Sequence, residues 1–437
     1  MINNPATTKD INLADIANLF HPLALTEEQA ALYQPTAAVR GGANYEFHEL
    51  LYERICTSPN KTHILVVGHG GCGKSTELRM LTLKLRNNNI PSITIEARED
   101  LDLNNFSYID IFIQIVERLT QYVAQTKKPK MSPKLLRAFY EALSTKITLE
   151  YWENKGEAGL QTEAAATISL PSLLKFVSKI TASLKRESVQ REELRRQIDP
   201  KMKDIIKALN ALIDAINTAN KNKIVIVIDG LEKCLTENVE KLFSRDVSSL
   251  SEINTHLLIA CPINIYRSPA ANILQGYFIK PAIMPMIKTH YPASLNKPYK
   301  DGVKVIKTLL QKRIDESFFE QGVLDEIIKM AGGSLRDTFV LVSDSAFEAY
   351  MRQRTTVDIP SFESAMNAFA GDLFYRAESK YFPTIKKIFE GEHQPRNDAD
   401  LAQLLYAGVV FEYNGEGWID LHPLIRRYIE KRPGVLD

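Results

Sequence analysis

The stretch from Gly68 to Ser75, Gly-His-Gly-Gly-Cys-Gly-Lys-Ser, decides the fold. It has the spacing G-x-x-x-x-G-K-[ST] of a phosphate-binding loop, or P-loop, in which glycines let main-chain N–H groups turn towards phosphate oxygens. The apolar run Ile64–Val67 before it predicts a buried strand, and Thr76–Leu85 after it predicts a helix. A strand before the loop and a helix after it are the context that this motif requires. The sequence therefore predicts a P-loop at the edge of an α/β sheet.

The loop predicts a site for a nucleoside triphosphate, which we expect to be ATP with Mg²⁺. Lys74 is predicted to reach the β- and γ-phosphates, and Ser75 to offer its hydroxyl to the metal ion. The helix that follows adds its N-terminal dipole. The predicted nucleotide-binding residues of the loop are Gly68, Gly70, Gly71, Cys72, Gly73, Lys74, Ser75 and Thr76.

A carboxylate follows a second buried strand. Ile224–Ile228 is five β-branched residues in succession, and Asp229 comes next. An aspartate at this point suits a magnesium ion, so Ser75 and Asp229 are the predicted metal-binding residues. Many P-loop ATPases have a glutamate directly after the aspartate to orient water, but Gly230 is there. Glu232 is the predicted catalytic carboxylate and Glu96 the alternative, so hydrolysis is expected to be slow.

Strands and helices alternate through the rest of this region. Ser92–Glu96 and His256–Ala260 predict further strands, which favours a parallel sheet. Lys74 and Asp229 are far apart in sequence, and the segment of about 130–220 is predicted to be a helical insertion. Its part from Lys185 to Lys203 is rich in Lys and Arg, interleaved with acidic residues. We expect a solvated helix face there, with an arginine finger to a neighbouring subunit as the alternative.

The pattern changes after about residue 300. A run of helices is predicted over Val303–Asp315, Val323–Met330, Leu335–Met351 and Ser361–Ala370. A hairpin, Val409–Tyr413 and Trp418–Leu421 around the turn 414–417, and a last helix, Pro423–Lys431, follow. The predicted domains are an N-terminal segment (1–45), a P-loop ATPase domain (46–295), a helical lid (296–372) and a winged-helix-like domain (373–437).

The residues Gly73–Leu78 and Asp229–Glu232 resemble the additional-strand P-loop ATPases, the group that contains AAA+ proteins and the STAND signalling ATPases. The segment Ala331–Asp337 is similar to the lid of origin-recognition-type AAA+ proteins. That resemblance implies that Arg336 is a sensor that reaches the γ-phosphate and acts with Lys74, Asp229 and Glu232 in catalysis. The alternative is an arginine that pairs with Asp337 or solvent.

A third resemblance covers the end of the chain. Leu404–Val410, the hairpin and Leu421–Ile425 resemble a winged helix. In STAND proteins a histidine of that domain touches the nucleotide in the resting state, which implies a nucleotide contact for His422. The alternative is a histidine that caps the last helix.

Composition limits the functions that remain. The chain has 437 residues, 45% of them hydrophobic, and a net charge of +1, so it is not a nucleic-acid polycation. No apolar run approaches the roughly 20 residues that span a bilayer, so no membrane partner is expected. The four cysteines lack metal-site spacing, and we expect a cytoplasmic protein.

We therefore expect a regulatory ATPase whose nucleotide state controls assembly into a homo-oligomer and a protein effector, with bacterial antiviral defence as the favoured context. One alternative is a DNA-binding initiator or transposition ATPase of the AAA+ type. The candidate recognition helix Asp400–Tyr406 has no basic residue, and Glu412 and Glu416 in the wing would repel phosphate, so nucleic acid is not favoured. The other alternative is a switch that binds ATP without hydrolysing it.

Overall fold

The computed structural model describes residues 12–41, 44–144, 168–185, 189–268, 271–278, 281–292, 294–392, 398–413 and 418–436. Five parallel strands form the central sheet, in the spatial order β2-β3-β4-β1-β5. They are β1 (His63–Gly68), β2 (Ser92–Glu96), β3 (Val225–Asp229), β4 (His256–Pro262) and β5 (Ala282–Met284). The predicted parallel P-loop sheet is confirmed.

The three central strands of the sheet are mostly apolar, whereas the edge strand β2 alternates buried and half-buried residues. Every residue of β1, β3 and β4 is buried, as expected for a parallel sheet with helices on both faces. The helices that flank it are α2 (Phe47–Cys56), α3 (Lys74–Asn87), α4 (Ala97–Asp100), α10 (Thr236–Ser244), α11 (Val247–Ser251), α12 (Ile263–Tyr266) and α13 (Ala271–Leu274). Strand β4 lies between β1 and β3, so an additional strand separates the P-loop from Asp229.

Helices occupy the chain between β2 and β3. Helix α5 (Tyr108–Thr126) precedes the predicted insertion of about 130–220, whose described helices are α6 (Pro133–Leu143), α7 (Leu170–Lys185), α8 (Val189–Ile198) and α9 (Met202–Asn220). Each of α5, α7 and α9 buries an apolar stripe in the main core. Part of the predicted insertion, 145–167 and 186–188, lies outside the described residues.

The insertion corrects one expectation about charge. Arg191 and Arg195 do not lie on a solvated face. Arg191 pairs with Asp102 at 2.5 Å, and Arg195 pairs with Asp110. Both arginines are buried, because they connect the insertion to the start of α5 and the loop before it. Neither is therefore free to act as a finger towards another subunit in this arrangement.

Four helices form what we call the helical unit (residues 300–375), which includes the predicted lid helices. They are α14 (Lys300–Gln311), α15 (Val323–Met330), α16 (Leu335–Met351) and α17 (Ile359–Tyr375). The C-terminal unit (residues 382–436) contains α18 (Phe382–Phe389), α19 (Ala399–Ala407), β8 (Val410–Tyr413), β9 (Trp418–Leu421) and α20 (Pro423–Glu430). β8 and β9 pair antiparallel, and the predicted turn 414–417, with Glu416, lies outside the described residues. A short pair, β6 (His290–Tyr291) and β7 (Ser294–Pro298), precedes the helical unit.

The N-terminal segment packs on the helical unit rather than forming a separate body. Helix α1 (Leu13–Leu19) lies against α16, where the rings of Phe20 and Phe339 meet edge to face at 5.4 Å. Further along, Lys312 donates a hydrogen bond to the Tyr33 carbonyl. None of the helices that the structure describes is long and apolar enough to cross a membrane.

Candidate functional site

The P-loop runs from the end of β1 to the start of α3. Gly71 and Gly73 have φ angles of +84° and +104°, in the region that favours glycine. Lys74 is buried, and its Nζ donates to the carbonyl oxygens of Gly68 and His69, each at 2.8 Å. The ammonium group of Lys74 thus lies against the main chain of the P-loop, which is the predicted phosphate-binding segment.

A buried arginine holds the loop from behind. The Arg40 guanidinium donates to the Cys72 carbonyl at 2.5 Å, to Thr36 Oγ1 at 2.8 Å and to the Pro285 carbonyl. The C=O and N–H of a trans peptide point in opposite directions, so this bond turns the Gly73 N–H away from Arg40. Burial lowers the pKa of the Arg40 guanidinium. The sequence offered no signal for this role, because Arg40 was visible only as part of a Gly-rich turn.

The two carboxylates of the second half-site lie together. Burial first, and then the charge of Glu232, raise the pKa of Asp229, while a hydrogen bond from Ser75 lowers it. Asp229 Oδ1 and Glu232 Oε2 are enclosed and have no hydrogen-bond partner in the described part of the chain. Two enclosed, unpartnered carboxylate oxygens beside a serine hydroxyl are the oxygen ligands that Mg²⁺ prefers. The structure thus brings Ser75, Asp229 and Glu232 together as predicted residues of one site.

Glu96, the alternative catalytic carboxylate, has a different environment. It pairs in register with Asp229 on the neighbouring strand, but its Oε1 accepts from Arg79 at 2.9 Å. Glu232 instead lines the cavity beside the P-loop. Of the two carboxylates, Glu232 is therefore the one with an oxygen free to contact a molecule in the cavity.

This cavity of about 410 Å³ is bordered by the P-loop at Gly68 and Gly70 and by Arg336. The main-chain N–H groups of Leu335 and Arg336 donate to the Gly71 carbonyl at 3.1 and 3.3 Å. Helix α16 is thereby fixed on the loop at its first turn. The guanidinium of Arg336 has no ion-pair partner among the described residues, and in particular it does not pair with Asp337. The sensor position predicted for Arg336 is compatible with this placement.

His422 lies elsewhere. Its ring is fully buried, Nδ1 accepts from the Leu424 N–H at 3.1 Å, and Nε2 is 3.5 Å from Asp337 Oδ2. It caps α20, which is the alternative that the sequence left open, and it does not border the cavity. In this arrangement His422 connects the C-terminal unit to the helical unit. A nucleotide contact of His422 stays a prediction.

The C-terminal unit is attached to the P-loop by His69. Nε2 of His69 accepts from the Glu412 N–H at 2.8 Å, and Nδ1–H donates to the Leu405 carbonyl at 3.3 Å. Both bonds require the neutral ring. Burial, with the charge of Lys74 next, lowers the pKa of His69 to about 3. A variable position of the P-loop motif thus contacts two elements of the C-terminal unit, and sequence reasoning missed it.

Charged and polar pairs reinforce this contact. Glu412 forms an ion pair with Arg267, which follows β4, and the Tyr413 hydroxyl donates to the Gly332 carbonyl at 2.8 Å. Glu412 is buried, so the expectation that it would repel phosphate from an exposed wing is wrong. The candidate recognition helix α19 also turns inwards, since Gln403, Leu404, Tyr406 and Ala407 border the cavity.

This sheet, loop and pair of carboxylates define a P-loop NTPase. Residues 44–256 match the KAP family P-loop domain, a span that contains both the P-loop and the Asp229 strand. No curated protein matches the sequence significantly.

Solved structures with similar folds come from origin-recognition proteins. The ORC1 protein of Aeropyrum pernix in complex with DNA is 12% identical, with a TM-score of 0.36 over 89% of this chain and 92% of that one. The ORC2 protein of Aeropyrum pernix, in its ADPNP-ADP complexes, is 12% identical, with a TM-score of 0.39 over 93% of each chain. The Drosophila ORC bound to DNA is 11% identical, with a TM-score of 0.40 over 99% of this chain and 87% of that one.

Proposed function

We propose that this protein is a regulatory ATPase: it binds ATP with Mg²⁺, hydrolyses it slowly, and couples nucleotide state to the position of the C-terminal unit. The observation that carries the proposal is the double hydrogen bond of His69. A side chain of the phosphate-binding loop is bonded to both α19 and β8. Occupancy of the loop and docking of the C-terminal unit therefore share one residue.

The residues of the loop suit the binding step. Lys74 leaves the carbonyls of Gly68 and His69 to reach a phosphate, while Ser75 and Asp229 hold the metal ion. Mg²⁺ held by Ser75 and Asp229 would neutralise part of the negative charge of the phosphates. Glu232, at the cavity, is the group that orients water.

The same lysine supplies the coupling. Lys74 Nζ holds the carbonyl of His69 at 2.8 Å, and the ring of His69 holds the C-terminal unit. When Lys74 changes partners, the His69 main chain is released, and the two ring bonds lose their fixed support. A ligand can shift this equilibrium only if it binds the docked and undocked arrangements with different affinity. His69 provides this difference in affinity, because its main chain is held by Lys74 and its ring holds the C-terminal unit.

A protein partner fits the surface that undocking would expose better than DNA does. The buried side of α19 carries Leu401, Ala402, Leu404 and Leu405, without a basic residue, and the exposed Tyr406 lies beside it. Apolar and aromatic side chains are typical of protein interfaces, whereas DNA binding relies on Lys and Arg. We extend the proposal accordingly to an effector protein and to assembly with further copies, as in the antiviral systems that the resemblance suggests.

Hydrogen exchange measured by mass spectrometry tests this function. We expect residues 399–413 to exchange faster with a slowly hydrolysed ATP analogue than without nucleotide, because the docking bonds of His69 weaken. Lys74→Ala, which removes the phosphate contact, should abolish the difference and weaken nucleotide binding at least 10-fold, as expected for the loss of a charge-assisted hydrogen bond of about 1.5–3 kcal/mol. Equal exchange with and without nucleotide, together with normal ATP affinity in Lys74→Ala, would contradict the proposal.

A further inference from the structure

The cavity beside the P-loop contains a second arginine. Arg376 is the C-cap residue of α17, and it borders the same cavity as Gly70, Glu232 and Arg336. Its guanidinium has no hydrogen bond or ion pair to any residue in the described ranges. The cavity is thus bordered by two cationic groups without partners, one from the first turn of α16 and one from the end of α17.

The cavity lies where a terminal phosphate belongs. In P-loop proteins the terminal phosphate lies between the loop lysine and the metal-binding carboxylate, because the metal ion bridges the last two phosphates. Here the cavity is bordered both by Gly68 and Gly70 of the loop and by Glu232, the predicted catalytic carboxylate. Pro262, the last residue of β4, and Ile263 also border it.

The outer wall of the cavity comes from this chain itself. The lining residues that follow Arg376 in the chain are Glu378, Tyr381, Gln403, Leu404, Tyr406 and Ala407. The last four belong to the C-terminal unit, which is attached at His69 and at the Arg267–Glu412 ion pair. While this unit is docked, a side chain from a second subunit would have to displace it to reach the phosphate position.

We propose that Arg376 contacts the terminal phosphate of ATP in cis, so that this chain supplies the second positive charge from the end of its own helix α17. The inference rests on the proposed function and adds a residue to it. Arg336 borders the cavity with its guanidinium next to Gly70 of the P-loop, and Arg376 borders the same cavity from the C-terminal end of α17. Two guanidinium groups at the terminal phosphate select the triphosphate over the diphosphate, because the diphosphate has no group at that position.

Nucleotide affinities test the assignment without relying on turnover. Arg376→Ala should weaken binding of a slowly hydrolysed ATP analogue about 10-fold or more, as expected for loss of a charge-assisted hydrogen bond. The affinity for ADP should change less than about 2-fold, because ADP lacks the terminal phosphate that Arg376 is proposed to contact. The matched control is Arg352→Ala, because Arg352 is the C-cap of α16 and pairs only with Glu348 away from the cavity. Arg376→Lys, which keeps the charge, should retain part of the preference for the triphosphate and serves if the alanine variant does not fold.

A mixing experiment separates action in cis from action in trans. Lys74→Ala subunits have an intact Arg376 but no working P-loop, so they can supply that arginine only to a neighbour. ATP turnover by Arg376→Ala should not recover when these subunits are added, and turnover per subunit of the wild type should not depend on protein concentration. Recovery on mixing would overturn the cis assignment.

The affinities also separate this proposal from the one on which it rests. Equal losses of affinity for the ATP analogue and for ADP, or affinities like those of Arg352→Ala, would show that Arg376 does not contact the terminal phosphate. The ATPase proposal would then still stand. Failure of the wild type to bind either nucleotide would overturn both.

Discussion

The Arg40 guanidinium donates a hydrogen bond of 2.5 Å to the carbonyl of Cys72, a residue of the P-loop. The other two acceptors of Arg40, Thr36 and Pro285, are also neutral. A buried cation among neutral acceptors lacks a contacting negative charge, and a bound phosphate would supply one at short range. Through Arg40, the N-terminal segment therefore helps to hold the P-loop in place.

We predict that Arg40→Met weakens both the fold and nucleotide binding. Leaving the carbonyls of Cys72 and Pro285 without a donor should lower the free energy of unfolding of the P-loop domain by about 1–3 kcal/mol. Thermal denaturation with and without ATP measures this change, and the rise in melting temperature on adding ATP should be smaller than in the wild type. Arg245→Met is the control, since that side chain is 86% exposed. An unchanged response to ATP would show that Arg40 is only structural.

The buried environment of Asp229 predicts an opposition between stability and function at this residue. Its pKa is raised in the folded protein by burial and by Glu232, so ionisation of this carboxyl opposes folding. Asp229→Asn should raise the melting temperature of the nucleotide-free protein at neutral pH and abolish Mg²⁺-dependent turnover. The gain in stability should disappear as the pH falls towards about 4, the ordinary pKa of aspartate, because the carboxyl is then protonated in both states. A variant less stable than the wild type at pH 7 would disprove this account.

The two glutamates near Asp229 should differ in their effect on catalysis. Glu232→Gln should lower ATP turnover about 100-fold or more, the usual effect of losing a general base, with little change in nucleotide affinity. Glu96→Gln should leave turnover within a few-fold of the wild type, because Glu96 is engaged by Arg79. The reverse pattern would assign the catalytic role to Glu96. Steady-state turnover and ATP affinity, measured on both variants, distinguish these outcomes.

The docking contact of His69 predicts a dependence on pH. Its pKa is lowered to about 3 in the folded protein, so protonation costs docking free energy as the pH falls below about 6.5. Between neutral pH and pH 5, the protection of residues 399–413 against hydrogen exchange, taken relative to the intrinsic exchange rate at each pH, should fall in the wild type. His69→Ala should show low protection at both pH values and lose most of this dependence, whereas His21→Ala, on an exposed histidine, should behave as the wild type. Strong protection in His69→Ala would mean that the other contacts suffice for docking.

We predict weak duplex DNA binding without sequence preference. Helix α19 has no basic residue and its inward face borders the cavity, while the net charge of the chain is only +1. Few phosphate contacts would survive at about 150 mM salt, where counterion release is reduced. Fluorescence anisotropy with labelled duplexes measures the affinity and its salt dependence. Nanomolar binding to one defined sequence would instead support the DNA-binding initiator alternative.

Much of the fold follows from local patterns. The β-branched run before Asp229 and the helical spacing of Met202–Ile216 determine β3 and α9, and the bounds predicted for α15, α16 and β9 match the structure. These elements are predictable because burial on a sheet or helix imposes a period on the sequence. Strand β5 was missed. It has only three residues, flanked by prolines, and it forms because β1 offers an open edge.

The candidate site likewise has residues that the sequence predicts and residues that it does not. The P-loop and Asp229 are recognisable because their chemistry lies in contiguous residues. Arg40, His69 and Arg376 are not, because each gains its role from partners or walls that are distant in sequence. The acceptor carbonyl of Arg40 on Pro285 lies 245 residues away. No window of sequence contains such a pair, so only the folded chain reveals it.

The separation of His69 from its partners has a consequence for synthesis. Leu405 and Glu412 lie 336 and 343 residues downstream of His69. A ribosome adding about 5–20 residues per second needs roughly 20–70 s to cover that distance. By the end of this interval the P-loop, the insertion and the sheet, whose last strand ends at Met284, have been synthesised without the complete C-terminal unit. The newborn chain can therefore take up its first nucleotide before the docking surface exists, so each molecule begins its life in the undocked state.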